Sequence, residues 1–170
     1  PSNKINLIGV TGTNGKTTIV NLLHQLFSFL GFKSGLLSTI NNKIGTREIV
    51  STHTTPDPIQ INYLLNEMVK SKCNYCFMEV SSHAIHQSRI TGLNFKAGIF
   101  SNITRDHLDY HKTFHEYIKV KKTFFDSLSK KSYALSNIDD KNGIKMVEST
   151  KAKKYTYSLK SISNYRLRLI

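Results

Sequence analysis

Short apolar runs and longer stripes at helical spacing alternate along this chain. Residues 4–10, KINLIGV, form a continuous apolar run of the kind that suits a strand buried on both faces. After GTNGKTT, the segment IVNLLHQLFSFLGF places apolar residues at 19, 20, 23, 26, 27 and 30, a wide stripe on one side of a helix that Gly31 stops. GLLSTI (35–40) predicts the next strand, and the polar, Gly- and Thr-rich residues 41–56 predict a long loop with room for a small hairpin. Asp57-Pro58 supplies a cap and first turn for a helix running to about Lys70. NYCFMEV (74–80) and FKAGIFSN (95–102) read as buried strands, and SYALSN (132–137) and KKYTYS (153–158) as later ones, with turns at Asp139-Asp140 and Asn142-Gly143. Between them, Thr113-x-x-Glu116 forms a capping box at the head of a further helix.

Strands alternating with helices predict an α/β fold: a mostly parallel, Rossmann-like sheet with helices on both faces, in one domain covering residues 1–170. Right-handed crossovers then place the loops that follow each parallel strand along one edge, where ligands bind. The closing run, YRLRLI, reads as a strand without a successor, so the domain is expected to be truncated at its C-terminal end.

The helix headed by Thr113 contains one anomaly. At about 100° per residue, Phe114, Tyr117, Phe124, Phe125 and Leu128 share an apolar face. Lys119 falls on the opposite side and Lys122 on a flank, but Lys121 falls in the middle of that face.

The chemistry starts between the first strand and the first helix, at Gly9-Val-Thr-Gly12-Thr-Asn-Gly15-Lys16-Thr17-Thr18. Glycines there let successive N–H groups curl toward phosphate oxygens at the positive end of the following helix. This is a P-loop in which Lys16 reaches the outer phosphates and the Thr17 hydroxyl can ligate Mg²⁺. The common pattern wants glycine at position 10, which here is Val10. Glu79 ends an apolar strand on the same predicted edge, awkward for packing and well placed for a cation.

Composition narrows the partners. The chain has a net charge of +13, and between Lys141 and Ile170 it carries eight basic residues against the single acid Glu148. No zinc finger, RNP-like sequence or Gly-rich RNA loop accompanies the charge, so a solvated lysine-rich surface is expected and nucleic acid is not. No apolar run approaches the ~18–20 residues that span a bilayer, and the N-terminus enters a strand directly, without a leader. A monomer in a reducing cytoplasm is expected, with no membrane partner. Cys73 and Cys76 make one CxxC without a second pair, which favours core packing over zinc. His24, on the first helix, is expected at the surface or boundary.

Six of the seven histidines lie between His53 and His115, among THTTPDP (52–58), EVSSHAIHQSR (79–89) and NITRDHLDYH (102–111). Asp106, His107, Asp109 and His111 cannot all face one ion, because adjacent helical residues diverge by about 100°. Together with TGTNGKTT, these segments resemble the Mur ligases, the ATP-dependent amide-forming enzymes of peptidoglycan synthesis, from about Ile5 to Asp140. The P-loop variant of that family accounts for Val10. The string EVSSHA-x-x-Q-x-R with SNITRDHLDYH is most similar to the branch that adds the third residue to the muramoyl peptide.

The resemblance implies the central ATP-binding domain of a three-domain cytoplasmic enzyme, with the uridine-nucleotide domain and the C-terminal ligase domain absent and the fragment inactive by itself. It implies ATP held by Gly12, Thr13, Asn14, Gly15, Lys16, Thr17 and Thr18, one Mg²⁺ served by Thr17 and Glu79, and a second by His107. Thr54, Thr55, Ser81, Gln87 and Arg89 would contact the UDP-N-acetylmuramoyl dipeptide, whose carboxylate takes a phosphoryl group from ATP before the amine of meso-diaminopimelate or L-lysine displaces it. His53 stands before the threonine pair where relatives often carry asparagine. Lys16, Glu79, His107 and Lys121 are the implied catalytic residues. Lys121 matches the Tyr-x-x-x-Lys lysine that the family carbamylates with CO₂ to N6-carboxylysine, which turns a cation into an anion. An ammonium beside two divalent ions would be repelled by several kcal/mol (roughly, at an effective dielectric near 20). Two alternatives stay open: a folylpolyglutamate- or cyanophycin-synthetase-like Mur-type ligase, which should lack the EVSSHA-x-x-Q-x-R string, and a non-catalytic basic P-loop module.

Overall fold

The computed structural model describes residues 1–167. Their strands form a single sheet in the order β4-β3-β2-β5-β1-β6-β7-β8-β9. The elements follow the chain as β1 (Asn6–Thr11), α1 (Lys16–Phe29), β2 (Ser34–Leu37), β3 (Asn41–Ile44), β4 (Arg47–Val50), α2 (Pro58–Lys70), β5 (Tyr75–Glu79), α3 (Ser82–His86), β6 (Phe95–Phe100), α4 (Leu108–His111), α5 (Phe114–Asp126), β7 (Tyr133–Asn137), α6 (Gly143–Val147), β8 (Lys153–Ser158) and β9 (Tyr165–Arg166). All pairings from β2 through β5, β1, β6, β7 and β8 to β9 are parallel, and only β3 is reversed, pairing antiparallel with both β2 and β4. The expected mostly parallel sheet is therefore present.

Alternation along β1 divides the core in two. Leu7 points into the larger cluster with Leu64, Leu65 and Met68 of α2 and Tyr117, Phe124 and Phe125 of α5. Ile8 and Val10 point the other way, onto Val20 of α1 with Leu36 and Phe77. Helices thus cover both faces, unevenly. On the α1 side, Ala97, Ile99, Tyr133, Tyr155 and Tyr165 line an open apolar groove of about 360 Å³ beyond the helix. Crossover handedness explains the asymmetry. Each connection that moves the chain from β5 toward β8 carries its helix on the α5 side, and only the β1–α1–β2 connection runs the opposite way.

Several expectations change. The small hairpin allowed for in 41–56 forms, with β3 and β4 in register Asn41↔Val50 to Ile44↔Arg47, and with its turn it takes up most of a segment read mainly as loop. Its two-residue Gly45-Thr46 turn has Gly45 at φ 61°. β2 stops at Leu37 rather than residue 40, which frees Ser38 and Thr39 for the sheet edge. The turn read at Asn142-Gly143 instead opens α6, a short helix packed on β7. α3 and α4 are too short to show a periodic stripe in the sequence. Thr113 caps α5 by accepting from Glu116 N, but its own N–H goes to the His111 carbonyl at 2.7 Å, so only half of the capping box forms. His24 is buried, with Nδ1 2.8 Å from Ser34 Oγ, and burial followed by Lys43 lowers its pKa. Cys73 and Cys76 are free thiols in the larger core cluster, Cys76 within the strand β5 as its sequence context implied. Of the closing YRLRLI, Tyr165–Arg166 form β9, and residues 168–170 lie outside the described residues.

Candidate active site

The chain direction reverses around β1: it leaves for β2, returns to β5, and then crosses to β6 on the other side. In open parallel sheets a crevice forms at the carboxyl ends of the strands at such a point. Here it is a cleft of about 510 Å³, lined by Thr13, Asn14, Gly15, Lys16, Thr17, Thr39, His53, Thr54, Thr55, Glu79, Ser81, His83, Arg89 and His107.

One wall is the loop between β1 and α1. Gly15 immediately precedes α1 in the left-handed region, φ 85°, which a side chain would strain. At Gly12 the constraint is space, since an added Cβ would lie 2.0 Å from Ser101 Oγ. Val10 is fully buried in β1, opposite Glu79, so the tight approach that the common pattern gives to its first glycine falls to Gly12 instead. The segment after β6 braces this loop. The Asn102 carbonyl accepts from Thr13 N at 2.8 Å, its Oδ1 accepts from Asn14 N at 3.0 Å, and Ser101 Oγ donates to the Asn14 carbonyl at 2.8 Å. Thr18 is exposed on α1 outside the cleft, and Gly12 lies beneath the loop, so five of the seven predicted loop residues face the cavity.

Glu79 sits on the cleft floor, with its residue surface wholly buried. Its Oε1 accepts from Thr17 Oγ1 at 2.9 Å and from Thr39 N at 2.8 Å, and Thr39 Oγ1 lies 3.1 and 3.2 Å from the two carboxylate oxygens. Among the described residues no Lys, Arg or His nitrogen comes within 4.0 Å of it. A buried carboxylate held by hydroxyls and an amide but lacking a cation has the donor chemistry of a hard divalent ion's site. Thr39 escaped the sequence reading because it was assigned to a strand. Its place just after a parallel strand, on the ligand edge, was the available signal.

The opposite wall is assembled from the 52–58 loop, α3 and the loop leading to α4. Thr54 accepts from Thr39 Oγ1 at 3.1 Å. Thr55 ties the wall to the floor, donating to the Glu79 carbonyl at 2.8 Å and accepting from Ser81 N at 3.1 Å. The Ser81 hydroxyl caps α3 by accepting from Ala84 N. Arg89 donates from Nη1 to the Thr55 carbonyl at 2.9 Å and from Nε to Gln87 Oε1 at 2.8 Å. Among the described residues it has no carboxylate within 4.0 Å, which leaves its charge available to an anion. Gln87 itself is exposed and does not line the cleft; it orients Arg89. His107 lines the cleft from a left-handed backbone, φ 53°, with its N–H on Asp106 Oδ1 at 2.8 Å. His83, absent from the sequence reading of the site, packs edge-on against it with centroids 5.0 Å apart. Burial first, then His107 and Arg89, lower the His83 pKa. His111 points away from the cleft, with Nε2 2.9 Å from Ser82 Oγ, so the Asp106–His111 string does not converge on one point.

Lys121 lies where its helical position predicted, 1% exposed on the inner face of α5, while Lys119 is solvated and Lys122 pairs with Asp126 at 2.9 Å. It does not line the cleft. Its Nζ donates to the Gly12 carbonyl at 3.0 Å from beneath the loop and sits 4.7 Å over the Tyr117 ring. Lys16 Nζ reaches the same carbonyl at 2.9 Å. Burial and then the Lys16 charge hold Lys121 well below the usual ammonium range, and burial also lowers Lys16, against Glu79 and Asp106.

Residues 10–168 match the family model of the Mur ligase middle domain. The chain belongs to the Mur ligase family. This Mur ligase domain is 60% identical over 170 residues to the UDP-N-acetylmuramoyl-L-alanyl-D-glutamate–2,6-diaminopimelate ligase of Cytophaga hutchinsonii, covering 100% of the chain and 35% of that protein. The same enzyme of Bacteroides fragilis is 56% identical, with the same coverage. A solved diaminopimelate ligase of that name superposes with a TM-score of 0.85 at 34% identity, covering 95% of this chain and 34% of the other. The chain thus spans about a third of the length of the curated relatives it matches. The Mur ligase domain has no helix, among the described residues, long and apolar enough to cross a membrane.

Proposed function

We propose that the domain is the central, ATP-binding part of a ligase that adds diaminopimelate to UDP-N-acetylmuramoyl-L-alanyl-D-glutamate in peptidoglycan precursor synthesis. The observation that carries the reading is the cleft itself: a phosphate loop and a cation-free carboxylate on one side, an unpaired arginine and a histidine on the other. The relatives' names supply the amino acid, and their identity of 60% and 56% over 170 residues disfavours the folate-type alternative.

In this reading Gly15, Lys16 and the first turn of α1 hold the ATP phosphates. Thr17 and Glu79 would hold one Mg²⁺ and His107 a second, and such ions would supply charge neutralisation at the transferring phosphoryl group. Arg89, fixed by Gln87 and Thr55, binds an anionic group of the muramoyl dipeptide beside Thr54. The protein's task is to bring a substrate carboxylate in line with the γ-phosphate and to keep the resulting acyl phosphate from water until the amine arrives.

Lys121 fits the carbamylation that the family resemblance implies. Two lysines converging on one carbonyl, with no carboxylate within 4.0 Å of either among the described residues, favour a neutral amine on the more deeply buried one. A neutral amine can give its electron pair to the carbon of CO₂ and release a proton, leaving a carbamate anion on the nitrogen.

The test uses the full-length protein. Phosphate release should require both the muramoyl dipeptide and diaminopimelate; release without either would overturn the assignment. Lys121→Ala should abolish amide formation, with partial recovery on adding a short carboxylate such as formate, and ¹³C-bicarbonate should give a carbamate carbon signal that the variant lacks. Full activity of Lys121→Ala would sink its role.

A further inference from the structure

α4 is a four-residue turn flanked by two residues of positive φ, His107 (φ 53°) and Lys112 (φ 64°). So short a helix has little backbone to fix its position, and its side chains must do so. Tyr110 makes contact in two directions. Its hydroxyl receives Gln87 Nε2 at 3.1 Å and lies 2.9 Å from His86 Nδ1. Gln87 in turn presents Oε1 to Arg89, whose Nη1 is fixed on the Thr55 carbonyl. The face of the Tyr110 ring supports His83, with centroids 4.2 Å apart, and His83 abuts His107 at 5.0 Å and 83°. A single side chain therefore touches both the row that orients the arginine and the stack that orients the metal-side histidine.

We propose that Tyr110 is a positioning residue that sets the spacing of the two functional ends of this wall: its hydroxyl holds the Arg89 anion site through Gln87, and its ring holds His107 through His83. The proposal rests on the ligase reading above. It separates the two parts of one residue, so two variants read it independently of turnover in the full-length protein. Calorimetry gives the affinity for the UDP-muramoyl dipeptide, and electron paramagnetic resonance gives the affinity for Mn²⁺ in place of Mg²⁺.

Tyr110→Phe keeps the ring and loses the hydroxyl. It should weaken dipeptide binding about 3- to 10-fold, the worth of one hydrogen bond, and leave Mn²⁺ affinity unchanged. Tyr110→Leu loses both, and should weaken Mn²⁺ binding several-fold as well. Unchanged dipeptide affinity in Tyr110→Phe overturns the proposal, as does loss of Mn²⁺ affinity in that variant. The near-isosteric phenylalanine decides the hydroxyl's role even if the leucine variant unfolds, and unchanged Mn²⁺ affinity in a folded Tyr110→Leu overturns the ring's role. A wild-type protein that fails to bind the dipeptide would instead overturn the ligase reading.

Discussion

The two walls of the cleft are built in opposite ways. The phosphate-loop wall is a single contiguous stretch, Thr13 to Thr17, shaped mainly by its own backbone, with a left-handed glycine and the first turn of a long helix, and braced from outside by Ser101 and Asn102. The facing wall is drawn from the 52–58 loop, α3 and the loop into α4, and no element there exceeds five residues. It is held by side chains, through Thr55, Gln87, Tyr110 and the edge-on and tilted rings of His83, His107 and His111. A wall made by backbone tolerates neighbouring changes but fails outright when its functional group is removed. A wall made by side chains is tuned by many residues, each of modest weight.

The strongest test of that contrast removes the amine on the backbone-built side. Lys16→Ala in the full-length protein should reduce amide formation about 10³-fold or more, equivalent to about 4 kcal/mol of transition-state stabilisation, without unfolding the chain. Activity within tenfold of wild type would show that the loop alone suffices.

Thr39→Val probes the floor shared by both walls. It removes the hydroxyl that touches Glu79 and Thr54 but keeps the backbone N–H on Glu79. The Mg²⁺ concentration for half-maximal activity should rise about 10-fold with little change at saturating metal. An unchanged requirement would mean that the amide alone orients the carboxylate.

The side-chain wall should also be the acid-labile one. Burial, followed by His83 and His86, lowers the pKa of His111 from 6.5 to about 4. The unfolded chain therefore takes up a proton on acidification that the folded chain refuses, so stability falls as the pH drops from about 6.5 and the loss is complete below about 4. With one side of the ring cluster open to solvent, the loss should be on the order of 1–2 kcal/mol. Urea unfolding at pH 7 and pH 5 should show a pH dependence that His111→Asn flattens; identical slopes in the two proteins would remove His111 from the account.

The smallest effect belongs to the solvated lysine. Lys119→Ala should change stability by no more than about 0.5 kcal/mol and leave activity intact, against the loss expected at Lys121 two residues away. A large effect at Lys119 would mean that helical position does not separate the two.

Much of this contrast was legible beforehand, and unevenly so. Loop geometry is local, so TGTNGKTT between an apolar run and a helical stripe was enough to locate the phosphate wall. The burial of Lys121 followed from about 100° per residue along α5. The histidine-rich segments could be recognised as functional by their resemblance to a family, but not placed. Gln87 turned out to orient rather than line, Ser81 to cap α3, and His24 to be buried. Thr39, read as part of a strand, and Tyr110 went unseen, and each acts through a partner distant in sequence, Glu79 forty residues away and Gln87 twenty-three.

By itself the sequence determined the longer elements, the parallel sheet, the phosphate loop and the inward face of α5, because periodicity, glycine geometry and helix pitch are properties of neighbouring residues. Tertiary structure decided which wall each polar side chain joins, that Lys16 and Lys121 meet at one carbonyl, and that Glu79 is gripped from two threonines. Those facts depend on strand order, β2-β5-β1-β6, which sets the carboxyl ends of distant strands side by side and which no local pattern encodes.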